Sequence, residues 1–251
     1  MLKLSAVIIT LNEEKNIGRC IDSLKNVADE IVVIDSFSTD RTKEICLGKK
    51  VRFIDNKFDG HIEQKNFALS QAVYPFVLSL DADEALSLEL EKSILEIKAN
   101  TLFDAYSMNR LTNYCGQWIR HGGWYPDTKI RLWNKEKGQW GGVNPHDKVI
   151  LQKNVTVHHL KGDLLHYSFY TKQQHIEQII KFNQIGARAL FKKGVKSSLF
   201  KLIFNPTARF LKMYILKLGF LDGVFGFFIS YKSAWGNYLK YKMLRDLWRK
   251  V

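Results

Sequence analysis

The chain has 251 residues, 46% hydrophobic and 25% charged, which is typical of a globular protein long enough to bury a full core. Its net charge of +13 lies in the last third, because residues 1–171 hold equal numbers of acidic and basic residues, whereas residues 172–251 hold 16 basic and 3 acidic ones. Cys20, Cys46 and Cys115 are odd in number and lack C-x-x-C spacing, which argues against a disulfide framework or a zinc site.

The first hundred residues alternate predicted strands and helices. The predicted strands cover residues 5–11, 30–34, 51–54 and 76–80, and the predicted helices follow them, with helical spacing at 17–24, 39–47, 62–72 and 88–98. This order predicts an α/β fold with a mostly parallel sheet flanked by helices. Ligands of such sheets bind beyond the carboxyl ends of the strands, and Thr10, Asn12, Asp35 and Asp81 all fall at that edge.

Two carboxylates follow the fourth strand in the sequence Asp81-Ala82-Asp83. Acidic groups so close together repel each other, and a divalent cation with bound phosphates would offset that repulsion. The alternative is an acidic turn in which Asp83 or Ser87 caps the next helix.

Residues 104–167 contain short strand-like pieces and loops rich in glycine and tryptophan. Four of the six tryptophans lie here: Trp118, Trp124, Trp133 and Trp140. They are either core residues or a platform for the apolar face of a sugar, and the sequence leaves both interpretations open.

Both ends of the chain bear on where the protein resides. The N-terminal apolar run, residues 4–11, is only eight residues long and is followed by two glutamates, so we expect a buried strand rather than a signal peptide. Residues 171–251 are predicted to be basic amphipathic helices, with residues 199–251 resting on an anionic membrane surface or, alternatively, packing on the rest of the protein. We therefore expect a cytoplasmic protein, peripheral at the inner face of the cytoplasmic membrane.

Five motifs occur together in order: AVIITLNEEKN at 6–16, IVVIDSFSTDRT at 31–42, QKN at 64–66, DAD at 81–83 and HD at 146–147. In this combination the chain resembles family 2 glycosyltransferases of the GT-A fold. The segment GFLDGVFG at 219–226 further resembles the small bacterial enzymes that add a hexose to the lipopolysaccharide core. The resemblance implies a GT-A catalytic domain at 1–170, with a nucleotide-sugar half (1–100) and an acceptor half (101–170).

The resemblance also implies the reaction and the donor site. It implies inverting, metal-dependent transfer of a hexose from a nucleotide-sugar, UDP-glucose or a similar donor, to a lipopolysaccharide core or related lipid-linked saccharide. The implied donor-binding residues are Thr10, Asn12, Glu13, Asp35, Lys65, Asp81, Ala82 and Asp83. Asp35 has a helix-entry cap as its alternative role, and Lys65 has the alternative of a solvated helix lysine.

The implied cofactor is Mn²⁺ or Mg²⁺. Asp83 is the expected direct ligand, Asp81 contacts the ribose or metal-bound water, and His166 is either a third ligand or structural.

The resemblance assigns the general base to Asp147, with Asp127 as the alternative. The implied acceptor contacts are Trp124, Tyr125, Arg131 and His146, although Arg131 is equally well explained by a salt bridge.

Two other functions compete with this interpretation. One is a nucleotidyltransferase acting on a sugar phosphate, and the other is a non-enzymatic basic protein that binds membranes or nucleic acid. The neutral first 171 residues and their acidic strand ends argue against a nucleic-acid partner.

Overall fold

The computed structural model describes residues 2–100, 102–144 and 146–250. The chain divides into two compact units, one formed by residues 1–110 and 127–167 and the other by residues 111–126 and 168–251. This division differs from the predicted boundaries because residues 111–126, expected in the acceptor half of the catalytic domain, are grouped with the C-terminal helices.

Four parallel strands of the first unit alternate with helices. The strands are β1 (Leu4–Thr10), β2 (Glu30–Asp35), β3 (Arg52–Asp55) and β4 (Phe76–Asp81), and the helices are α1 (Ile17–Leu24), α2 (Thr42–Gly48), α3 (His61–Gln71) and α4 (Leu88–Ala99). Strand β1 lies between β2 and β4, and β3 pairs with β2. The βα order read from the sequence is therefore present.

The remaining strands make the sheet mixed. They are β5 (Glu84–Leu86), β6 (Ala105–Tyr114), β7 (Gln117–Ile119), β8 (Asp127–Asn134) and β11 (Val157–Phe169). The strand order is β3-β2-β1-β4-β8-β6-β11-β5, with β7 paired to β6, and β8 runs antiparallel to both β4 and β6. Strands β9 (Gly138–Val143) and β10 (His146–Leu151) form a separate antiparallel pair. The predicted α/β class is confirmed, and the described parallel pairs lie within β1–β4.

Burial on both faces explains why β1 reads as a continuous apolar run. Leu4, Ala6 and Ile8 pack in the same cluster as the buried face of α1, which includes Cys20, whereas Val7 packs in the cluster on the opposite face. A strand covered on both sides needs apolar residues at every position rather than at alternate ones. Cys20 is a core residue, as its place on the helix predicts.

The second unit contains the basic helical region that the sequence predicts. Its helices are α5 (Lys172–Lys192), α6 (Leu199–Leu211) and α7 (Gly223–Trp248). Thr171 begins α5 with a capping box, in which Thr171 and Gln174 satisfy each other's backbone N–H groups. Among the described helices none is by itself long and apolar enough to cross a membrane, but one bent pair, Leu199–Leu216 with Gly219–Trp248, meets the criterion together.

A buried histidine lies in the aromatic core of the second unit. His175 is surrounded by the rings of Tyr114, Trp124, Phe169 and Phe228, and its Nδ1 is 3.0 Å from the Tyr114 hydroxyl. Burial, together with the smaller effect of the Lys232 charge, lowers the pKa of His175 to about 4. His175 is therefore neutral in the folded protein at neutral pH.

We expect acidification from pH 6.5 to 4 to lower the free energy of unfolding. The unfolded chain takes up a proton at the ordinary histidine pKa of about 6.5, whereas folded His175 stays neutral down to about 4. The loss is at most about 1.4 kcal/mol per pH unit. His175→Gln, which cannot titrate, should weaken the pH dependence in urea unfolding measured across this range. The matched change at exposed His61 should leave it intact, and an unaltered slope in His175→Gln would contradict the assignment.

Candidate active site

Three parallel strands bring polar residues to one edge of the sheet. In the strand register Thr10 lies beside Asp35, and Ile9 lies beside Asp81. Because neighbouring parallel strands end at the same side, side chains far apart in sequence meet there. The structure therefore places Thr10, Asp35 and Asp81 together, as the sequence predicts.

The loops after β1 and β2 bind each other closely. Asn12 has a left-handed backbone conformation (φ 54°), and its side-chain oxygen accepts a hydrogen bond of 2.8 Å from the Thr39 N–H. Buried Asp35 accepts bonds from the N–H of Ser38 (2.7 Å) and from its hydroxyl (2.5 Å). These bonds order the turn after β2 and do not cap a helix, because α2 begins only at Thr42 with Arg41 at its cap position. The helix-entry cap expected as the alternative role of Asp35 is therefore wrong. The contact of Asp35 to a nucleoside stays a prediction.

Thr10 contributes a different kind of group to this edge. Its hydroxyl oxygen is buried and has no hydrogen-bond partner among the described residues. A buried polar atom without a partner is costly, so the hydroxyl is a candidate ligand contact.

Asp83 and His166 form a second polar pair. The Asp83 Oδ2 atom is 3.1 Å from His166 Nε2, because β5 pairs with β11 so that His166 lies beside Glu84. Burial raises the pKa of nearby Glu13, and the charges of Asp83 and Asp40 raise it further. Ala82 is part of the apolar core.

A divalent cation is compatible with the donor atoms of Asp83 and His166. A carboxylate and an imidazole would form one side of a coordination shell, which Mg²⁺ or Mn²⁺ usually completes with water and substrate phosphates. Within the described part of the chain, no three His, Cys, Asp or Glu side chains form a complete metal cage.

Asp81 is bound by two basic side chains. Lys65 Nζ is 3.0 Å from Asp81 Oδ1 and 2.8 Å from Asp147 Oδ2. Arg131 Nη2 is 3.0 Å from Asp81 Oδ2 and 2.6 Å from Glu84 Oε1. Although burial would raise the pKa of Asp81, the charges of Lys65 and Arg131 hold it well below its usual range. In this arrangement Asp81 pairs with basic residues, and its predicted contact to ribose or metal-bound water stays a prediction.

Lys65 is buried, and only 4% of its side chain is exposed. This burial rules out the alternative of a solvated helix lysine. Its ammonium also lies 4.4 Å from the centre of the Trp140 ring, a cation–π contact.

Asp127 is held by basic residues on the neighbouring strand and on its own. Arg110 Nη2 and Lys129 Nζ lie 2.8 and 2.9 Å from its carboxylate oxygens. Burial would raise the pKa of Asp127, but the hydrogen bond from Lys129 and the charge of Arg110 lower it. Arg110 also reaches Glu84 at 3.5 Å, so the ion pairs form one continuous network. Its members are Asp147, Lys65, Asp81, Arg131, Glu84, Arg110, Asp127 and Lys129.

A cavity of about 560 Å³ opens beside this network. The site residues that line it are Lys65, Asp81, Arg131, Trp140 and Asp147, and the other lining residues are Arg110, Thr128, Lys129, Ile130, Lys148 and Val149. Asp127 is not among the lining residues. The carboxylates of Asp81 and Asp147, joined by the Lys65 ammonium, therefore line one cavity with room for a substrate group.

Glu84, Arg110 and Lys129 belong to the ion-pair network but were not predicted from the sequence as site residues, and Trp140 was predicted only as a core residue or a sugar platform. Glu84 directly follows Asp83, and a third acid in this turn was an available signal. Trp140 packs edge-to-face on buried Trp133, which fits the core interpretation, and also lines the cavity, where its contact to a sugar stays a prediction. Nothing in the local sequence distinguishes Arg110 from other strand arginines.

The other predicted acceptor residues have different surroundings. Trp124 belongs to the second unit and packs against Tyr114 and His175, which favours the core interpretation. The guanidinium of Arg120 lies over the ring of Tyr125. Arg131 is nearly fully buried in the ion pairs, the alternative anticipated for it. The side chain of His146 lies outside the described part of the structure.

Comparison with known proteins identifies the family. The model of glycosyl transferase family 2 matches residues 5–200. The chain belongs to this family. An uncharacterized glycosyltransferase of Rickettsia typhi is 35% identical over 98% of this chain and 88% of its own length. The lipopolysaccharide core biosynthesis glycosyltransferase LpsC of Rhizobium meliloti is 31% identical over 93% of this chain and 88% of its own length.

Two solved structures are also similar to this glycosyltransferase. Staphylococcus aureus TarS 1–349 in complex with UDP has a TM-score of 0.49 and 16% identity, and the match covers 99% of this chain and 92% of TarS. Mycobacterium tuberculosis glucosyl-3-phosphoglycerate synthase with Mn²⁺, UDP and phosphoglyceric acid has a TM-score of 0.37 and 22% identity over 43% of each chain. The family match confirms the predicted resemblance. It sets aside the nucleotidyltransferase and non-enzymatic alternatives.

Replacing Arg131 should destabilise the first unit. Arg131→Met leaves the fully buried Glu84 with one ion pair among the described residues, the 3.5 Å contact to Arg110, besides its hydrogen bond from the Asp81 N–H. We therefore expect a loss of about 3 kcal/mol in the free energy of unfolding. Lys129→Met, at a side chain that is 39% exposed, should cost less than about 1 kcal/mol. Urea unfolding of the two variants measures the difference, and equal losses would argue against a buried ion-pair network.

Proposed function

We propose that the protein transfers a hexose from a nucleotide-sugar, UDP-glucose or a similar donor, to a lipopolysaccharide core or related lipid-linked saccharide, with inversion of the anomeric carbon. The observation that carries this proposal is the position of Asp147 and Asp81 on one cavity, with buried Lys65 between them. The 31% identity to LpsC supports an acceptor of this class.

The donor would occupy the carboxyl edge of β1, β2 and β4. The unpartnered Thr10 hydroxyl and the Asp35 turn would contact the nucleoside, with Asn12 and Glu13 beside them. Asp83 and His166 would hold Mn²⁺ or Mg²⁺, which when bound neutralises diphosphate charge.

Asp147 is the proposed general base. A sugar hydroxyl has a pKa far above neutrality, so its proton must leave as its oxygen bonds to the anomeric carbon. Lys65 binds Asp147 through Oδ2, and no described residue donates a hydrogen bond to Oδ1. Oδ1 would take the hydroxyl proton. The bond from the anomeric carbon to the diphosphate breaks in the same step, and the nucleoside diphosphate leaves with the electron pair.

Asp127 is less suitable as the base. Arg110 and Lys129 lower its pKa, which weakens it as a proton acceptor, and it does not line the cavity. We therefore infer that Asp127 orders the basic residues around the cavity.

The proposed location is the cytoplasmic face of the membrane. Residues 199–251 would contact anionic lipid, since the excess positive charge of the chain lies in its last third.

Asp147→Asn should lower the turnover number by roughly 10²- to 10⁴-fold, because the isosteric amide cannot accept the proton. Asp127→Asn, the matched control, should lower it less than about tenfold on the same reasoning. Release of nucleoside diphosphate with a lipopolysaccharide core oligosaccharide as acceptor measures both, and equilibrium titration should show unchanged donor binding. A larger loss in Asp127→Asn would reverse the assignment.

Metal removal should abolish turnover in a panel of nucleotide-sugars, and Mn²⁺ or Mg²⁺ should restore it. Asp83→Asn and His166→Ala should each weaken Mn²⁺ binding at least about tenfold, since even residues outside the coordination shell have effects of that size. Titration followed by electron paramagnetic resonance measures binding independently of activity. Asp127→Asn should bind Mn²⁺ normally, and full turnover in EDTA would contradict the metal requirement.

A further inference from the structure

The junction between α6 and α7 is a sharply bent segment, residues 212–224, which we call the elbow. It consists of a π-helical turn (Lys212–Leu216), Leu218 in a left-handed conformation (φ 55°) and a 3₁₀ turn (Gly219–Asp222). The helical segments on its two sides meet at 73°.

Close backbone packing fixes the shape of the elbow. A Cβ atom on Gly226 would overlap the carbonyl oxygen of Gly219, and a Cβ atom on Gly219 would lie 2.7 Å from the carbonyl oxygen of Met213. Only glycine fits at such contacts. The elbow is therefore a preformed structure rather than a loose connection.

The elbow presents large apolar side chains to the outside. Leu216 and Val224 are 77% and 75% exposed. Six apolar side chains of the elbow are about half exposed or more: Ile215, Leu216, Leu218, Phe220, Leu221 and Val224. A group of exposed apolar side chains within one short segment is a candidate interaction site.

The accessible charges of the elbow and the segments beside it are positive. Residues 199–232 contain five basic residues and one acidic residue, Asp222. Asp222 is buried and accepts hydrogen bonds from the N–H groups of Arg120 and His121, and its carboxylate lies 2.9 Å from His121 Nδ1. The outer surface of the elbow thus shows apolar and basic side chains without an accessible carboxylate.

We propose that the elbow inserts into the interfacial region of one leaflet of an anionic bilayer and is the membrane anchor of the protein. The inference rests on the membrane location given under the proposed function and names the segment responsible. Exposed apolar side chains with basic neighbours match a surface of acyl chains and anionic headgroups. A protein partner would need accessible carboxylates to pair with these basic side chains. A second elbow could not supply them, because its Asp222 is buried.

Lys217 limits how deeply the elbow enters. It lies in the middle of the apolar residues, and an ammonium in the hydrocarbon interior is unfavourable. Its side chain packs against Gly123, and its charge should stay at the headgroups. The elbow therefore lies in the interface, about 5–10 Å deep.

Vesicle flotation of the full-length protein tests the proposal. The wild type should float with phosphatidylcholine vesicles that contain phosphatidylglycerol and much less with phosphatidylcholine alone. Leu216→Glu and Val224→Glu should each weaken flotation at least about tenfold, because a charge replaces an exposed apolar side chain that would enter the bilayer. The matched control is Leu88→Glu, at an apolar residue of the first unit that is 85% exposed, and it should float like the wild type.

A tryptophan reporter gives a second measurement that does not depend on weakening the elbow. Leu216→Trp should gain fluorescence that bromines near the lipid headgroups quench more strongly than bromines deep in the acyl chains. Leu88→Trp should show no quenching by either lipid beyond that of the six native tryptophans in the wild type. Stronger quenching by the deep bromines, or none at position 216, would overturn interfacial insertion.

Two further results would count against the elbow as anchor. One is undiminished flotation of the Leu216→Glu, Val224→Glu double variant. The other is a concentration-dependent dimer that the same double variant abolishes, since the elbow would then bind a second copy. Hydrolysis of the nucleotide-sugar in detergent-free solution should be equal in the wild type and the elbow variants. If the wild type hydrolyses no nucleotide-sugar, the proposed donor chemistry is refuted, and the flotation result can still be interpreted.

Discussion

One buried ammonium holds the candidate site together. Lys65 reaches Asp81 at the end of β4 and Asp147 on β10, two carboxylates from separate parts of the first unit. Without a cation between them these carboxylates would repel each other across a partly desolvated cavity. The position of α3, which carries Lys65, therefore fixes the distance between the donor edge of the sheet and the proposed base.

The remaining charges extend this arrangement rather than compete with it. Arg131 joins Asp81 to buried Glu84, and Arg110 joins Glu84 to Asp127. Replacing buried ion pairs by apolar residues is often neutral or stabilising, so such a network is weak evidence for stability. The network surrounds a cavity, however, and this position suits catalysis. Charges that are already oriented before the substrate binds can stabilise the charge that develops in a transition state.

The second unit meets a different physical requirement. Its core is closed by aromatic rings around neutral His175, whereas its surface at the elbow leaves apolar side chains exposed. Glycines at 219 and 226 hold that surface in a fixed shape, and Asp222 is withdrawn from it by hydrogen bonds to the loop at 120–121. Sequence composition alone indicated a basic amphipathic region, but the bend that groups the apolar residues depends on these backbone contacts.

The sequence alone predicts the alternation of β1–β4 with helices, the position of Thr10, Asp35 and Asp81 at one edge of the sheet, and the family. The strands can be predicted because their apolar pattern is local in sequence. The shared edge follows because neighbouring parallel strands end on the same side of the sheet. The tertiary structure was needed to define the partners of Lys65, the hydrogen bonds from Ser38 to Asp35, the core packing of Trp124 and the grouping of residues 111–126 with the C-terminal helices. Lys65 and Asp147 are 82 positions apart. No local pattern encodes a contact between them, because it depends on how the β9–β10 pair packs against α3.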